Sequence, residues 1–76
     1  MEAYKNLSGN SGVTHYEIGN DNILVRFKGK TTKYKYSNLI TGSTHVETMK
    51  QLAENGLGLC TYITTNSWVK NHFTKY

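Results

Sequence analysis

Arg26, Lys28, Lys33 and Lys35 recur at alternate positions on either side of a Gly29-Lys30 pair, and they are the residues of this chain best suited to chemistry. Cations two apart on a strand share a face, where lysines track phosphates and a guanidinium donates two parallel hydrogen bonds. His15 lines up with Arg26 and Lys33 once the strands are registered, and a protonated imidazole would join the same anion. A solvated outer face, partly neutralised by Glu17, accounts for the same residues without a ligand. The C-terminal stretch holds a second group: Trp68, Lys70, His72, Phe73, Lys75 and Tyr76. Trp68 either stacks on a base or a partner side chain, or completes a small core. Gly56 and Gly58 either leave amides free as an anion nest or simply end a helix.

Catalysis lacks its usual parts. His15, Cys60 and Asp21 fall on different elements, with no recognisable nucleophile motif. His15, His45, Cys60 and His72 are spread too evenly for zinc-ligand spacing. No glycine-rich phosphate loop with its lysine precedes a helix. We therefore expect a non-enzymatic protein with no catalytic residue, no metal site and no cofactor.

Nine Lys+Arg against five Asp+Glu give a formal charge of +4 over 76 residues. That bias favours an anionic partner, whether RNA, a phosphorylated nucleotide or an acidic protein surface, although charge also keeps small proteins soluble. A chain this short buries roughly 60% of its unfolded surface, enough for one thin two-layer core. No run of 18 apolar residues can span a membrane, and Met1-Glu2-Ala3-Tyr4-Lys5 has no signal-sequence pattern. The single cysteine, Cys60, excludes an internal disulfide and fits a reducing, cytoplasmic setting.

The elements that must position these residues follow from periodicity. Ile23, Val25 and Phe27 alternate with Leu24, Arg26 and Lys28; Thr32, Tyr34 and Tyr36 alternate with Thr31, Lys33 and Lys35. Period-2 alternation of this kind predicts a hairpin with one buried face, and Gly29-Lys30 suits a two-residue type II′ turn. Thr14, Tyr16 and Ile18 continue the pattern on an earlier strand, across a Gly19-Asn20-Asp21-Asn22 turn. The apolar rows then read Ile18–Ile23–Tyr36, Tyr16–Val25–Tyr34 and Thr14–Phe27–Thr32. The reverse face reads Glu17–Leu24–Lys35 and His15–Arg26–Lys33. The sheet tyrosines fall on the apolar face, which argues against base stacking on the open side of the sheet. Thr44-His45-Val46-Glu47 has the form of a capping box. The helix it opens runs to about Asn55, with Val46, Met49, Leu52 and Ala53 on one stripe and Gly56 as its stop. Beyond it, Leu59, Tyr62 and Ile63 have helical spacing within a strand-like composition, and Asn66-Ser67 breaks the run. The expected architecture is α+β. A three-stranded antiparallel meander sheet packs on one main helix, with a short second helix and an extended C-terminal tail. Residues 1–12 form a flexible N-terminal segment from which Tyr4 and Leu7 can reach the body, and 13–76 form a single domain.

The order of these pieces resembles the KTSC domain, a small α+β module also found at the C-terminus of some lysyl-tRNA synthetases. The resemblance runs from Ile23-Leu24-Val25-Arg26-Phe27 through Tyr34-Lys35-Tyr36 to the closing Val69-Lys70-Asn71-His72-Phe73-Thr74-Lys75-Tyr76. Leu39-Ile40 stands where the family has Val-Pro, and Gly56-Leu57-Gly58 where it has Ser-Lys-Gly. The resemblance implies the fold and RNA or nucleotide binding, and it transfers no catalytic residue. The expected function is capture of RNA or a phosphorylated (signalling) nucleotide by Arg26, Lys28, Lys33 and Lys35, with His15 and Trp68 assisting. The rival class is a protein-interaction or inhibitor module, such as a phage-encoded factor that blocks a host defence protein. There the strand edge from Thr31 to Tyr36 would pair with a partner or with a second copy of the chain.

Overall fold

The computed structural model describes residues 1–9 and 11–75. The chain forms β1 (Glu2–Ala3), β2 (Val13–Ile18), β3 (Asn22–Phe27), β4 (Lys33–Ser37), α1 (Ser43–Asn55), α2 (Leu59–Thr65), α3 (Ser67–Asn71) and β5 (Thr74–Lys75). The class is α+β, as the periodicity requires. The antiparallel sheet has five strands in sequence order, not three. Both added strands are two-residue edges, too short to leave a period in the sequence, and each is set by an aromatic anchor. Tyr4 is buried, meets Tyr16 edge-on at 6.5 Å, and its hydroxyl accepts from the Leu59 amide at 3.3 Å. Its own amide donates to the Thr14 carbonyl at 2.9 Å, which draws residues 2–3 alongside β2. Phe73 stacks on Tyr34 at 5.0 Å, and Lys75 and Thr74 then pair with Tyr34 and Lys35. The β4 edge expected to be open is therefore covered at those two positions.

The central register follows the derived rows. Ile18 pairs Ile23, which pairs Tyr36; Tyr16 pairs Val25, which pairs Tyr34; His15, Arg26 and Lys33 form one row. Two details differ. Val13, not Thr14, pairs Phe27, because Thr14 is an extra residue bulged out of β2. The bulge puts Val13 into the core and turns the Thr14 hydroxyl back to the Arg26 carbonyl at 3.2 Å. The β3–β4 connection is not a two-residue turn: residues 28–32 lie outside both strands, and Thr32 has no ladder partner. Gly29, at φ 76°, sits third in a turn closed by the Lys30 amide on the Phe27 carbonyl at 3.2 Å.

Val46, Met49 and Ala53 of α1 are completely buried against Ile23, Val25 and Tyr36 of the sheet. The first turn of α1 differs from the expected capping box: the helix starts at Ser43 with Gly42 in the cap position, and no side chain caps it. Gly56 ends the helix in the left-handed conformation, as expected. The ambiguous stretch after it is helical. Leu59 and Ile63 of α2 and Val69 of α3 complete the core, and the Asn66 side chain caps α3 by accepting from the Val69 amide. All three helices feed the one core on the Tyr16–Val25 face, so the reverse face of the sheet is left open. No helix among the described residues is long and apolar enough to cross a membrane.

Candidate anion-binding face

The open face is built row by row by the ladder. Ala3, His15, Arg26 and Lys33 lie across it in one row, and Glu17, Leu24, Lys35 and Thr74 in the next. Arg26 and Lys33 are directly opposed like charges, an arrangement that weakens a strand pair unless an anion or solvent offsets it. Among the described residues no carboxylate forms an ion pair with Arg26, Lys30 or Lys33; the two ion pairs are Met1 amino–Glu17 at 3.9 Å and Lys50–Glu47 at 3.0 Å. Glu17, the carboxylate expected to neutralise the row, thus has the terminal amine as its ion-pair partner.

Two hollows mark this face. One of about 430 Å³ is lined by Asn22, Leu24, Lys33 and Lys35. The other, about 280 Å³, lies at the hairpin end and is lined by Thr14, His15, Arg26, Phe27, Gly29, Lys30 and Thr31. Arg26 Nε donates to the Lys30 carbonyl at 3.4 Å, which holds the guanidinium toward the turn. His15 Nδ1 is buried and has no hydrogen-bond partner.

Four of the six expected site residues, His15, Arg26, Lys33 and Lys35, come together on this face. Lys28 does not: it follows the last residue of β3 and lines a separate hollow with Tyr4, Asn6, Ser11 and Thr14. Trp68 also lies elsewhere, on α3 in the helical layer. It is half-exposed, donates from Nε1 to the Thr41 carbonyl at 2.7 Å, and stacks on His72 at 3.7 Å. Lys30 and Thr31 belong to the site and were missed. Their signal was the length of the turn, which brings residues 29–31 back beside Arg26.

Tyr16 and Tyr36 are buried on the covered face, so neither offers a stacking surface to the open side. Burial, reinforced by the neighbouring Tyr34 and Cys60, pushes the Tyr36 phenol far above its ordinary value of 10.0. Tyr16 is also raised, by burial first and then by a hydrogen bond and negative charge from Glu2, with Glu54 adding to it. No group of three or more His, Cys, Asp or Glu among the described residues is placed to hold a metal ion. Comparison with protein-family models, curated proteins and solved structures finds no match.

Proposed function

We propose that this protein is a non-enzymatic binding module whose open sheet face holds the phosphates of RNA or of a phosphorylated nucleotide. The observation that carries the reading is the row of His15, Arg26 and Lys33, flanked by Lys30 and Lys35, where Arg26, Lys30 and Lys33 have no carboxylate ion-pair partner among the described residues. An arrangement that costs pairing energy when empty is relieved by an anion bridging the two strands. Because Tyr16 and Tyr36 are buried on the covered face, affinity comes from phosphate contacts and carries little base preference. The motif order shared with the KTSC domain fits the same use.

The test is binding of a single-stranded RNA 12-mer and of a nucleoside triphosphate by calorimetry at low salt. The expected result is binding that Lys33→Glu weakens tenfold or more. Equal affinity of the wild type and Lys33→Glu for both probes, or no binding of either, overturns the reading.

A further inference from the structure

We infer that the 280 Å³ hollow at the hairpin end is a seat for a terminal phosphate monoester, which fixes one end of the bound nucleotide or RNA. The inference rests on the open-face reading and adds which part of the ligand is held there. A terminal monoester carries about −1.5 to −2 charge at pH 7 and three acceptor oxygens, against one charge and two free oxygens for an internal diester. The hollow matches the former. Arg26 and Lys30 line it with two formal cations, and His15 and Thr31 with an imidazole and a hydroxyl. The Thr14 hydroxyl is already committed to the Arg26 carbonyl, and Phe27 and Gly29 complete a lining that is otherwise mostly apolar. No carboxylate lines it.

The donors are held in place. The Nε bond to the Lys30 carbonyl spends one guanidinium donor on positioning, and the two terminal nitrogens remain in the fork that suits a phosphate. The bulge at Thr14 re-aims the chain beside His15, whose Nδ1 is buried without a hydrogen-bond partner. The neighbouring hollow is lined by Asn22, Leu24, Lys33 and Lys35 and is the more polar of the two. It receives the part of the ligand that follows the terminal phosphate. Because Lys33 pairs directly with Arg26, the two hollows adjoin across one strand spacing, about 4.8 Å.

Calorimetric titration with three versions of one RNA 12-mer separates the possibilities: 5′-phosphate, 3′-phosphate, and hydroxyl at both ends. One phosphorylated form is expected to bind at least tenfold more tightly than the hydroxyl form, and which one identifies the end that is seated. Inorganic phosphate alone should shift the His15 imidazole resonances. His15→Gln and Thr31→Val should each reduce the terminal-phosphate preference severalfold; Thr31 is exposed, so its variant leaves the core untouched. Equal binding of all three RNAs overturns the terminal seat and leaves the open-face reading standing. Absence of binding by any RNA, with no phosphate-induced shift at His15, overturns both.

Discussion

Removing one methyl-sized hydroxyl, by Thr41→Val, strands a partly buried acceptor. Thr41 is completely buried, its hydroxyl donates to the His72 carbonyl at 2.5 Å, and its own carbonyl takes the Trp68 indole proton. Valine keeps the shape and leaves the His72 carbonyl unpaired, at a cost of about 1–3 kcal/mol. In a domain of this size that lowers Tm by roughly 5–15 °C, measurable by a thermal melt followed at Trp68. No property of Thr41 in the sequence announced this. A threonine in a polar loop reads as surface, and its role depends on residues 27 and 31 positions away. Tyr36 gives a second prediction at this scale. Its folded pKa is raised, so its contribution to stability is fully present below the unfolded value of 10.0 and is lost as pH rises above that toward the folded value. Stability should therefore fall progressively above about pH 10, and Tyr36→Phe should flatten that fall, as urea titrations at pH 9 and pH 11 would reveal. An equal alkaline loss in the phenylalanine variant would locate the effect elsewhere.

At the scale of the elements, the hairpin carries a conflict that a single substitution can expose. Arg26 faces Lys33 across the ladder, and Lys33→Glu converts a like-charge pair into an opposite one. Cross-strand pairs of this kind are worth roughly 0.2–1 kcal/mol. The variant should gain about that much in urea denaturation at low salt while losing ligand affinity, so that stability and binding move in opposite directions. The conflict was legible in advance because strand register follows from period 2 and a buried face, and three strands in agreement left one alignment. The short edges were not legible, since β1 and β5 owe their position to Tyr4 and Phe73, whose partners are distant in sequence. The bulge was hidden for a related reason: Val13 and Thr14 both suit a strand, and only the better burial of valine decides which faces inward. Helix ends show the same division. Gly56 was readable as a stop, whereas its contact with the N-terminal segment was not. Gly29 and Gly56 have nearly equal φ, 76° and 74°, but a Cβ at Gly29 meets nothing within 4 Å and one at Gly56 lies 2.5 Å from Lys5 Cβ. Both alanine variants bear the left-handed cost of about 1–2 kcal/mol. Gly56→Ala should lose measurably more, and Lys5→Gly should recover the excess.

Across the whole molecule the charges separate. All five carboxylates belong to residues 2, 17, 21, 47 and 54, so the stretch from 22 to 46 contains Arg26, Lys28, Lys30, Lys33 and Lys35 with no acid among them. Glu2, Glu17 and Glu54 gather around one hollow beside Tyr16, on the β1–β2 side, while Arg26, Lys30, Lys33 and Lys35 occupy the β3–β4 side. A net charge of +4 alone would favour polyanions from any direction, whereas this division gives the approach a preferred orientation. Salt dependence distinguishes the two. If Arg26, Lys30, Lys33 and Lys35 all meet phosphates of a single strand, the logarithm of affinity should fall against the logarithm of salt with a slope of about −2.8. Lys33→Gln should flatten that slope by about 0.7, because one contact is lost. Lys70→Gln removes the same unit of net charge from α3 in the helical layer and should leave the slope unchanged. Equal effects of the two substitutions would mean that only total charge matters and that the open face has no privileged part. A change confined to Lys33→Gln would place the contact on the strands, where cross-strand pairing sets like charges side by side.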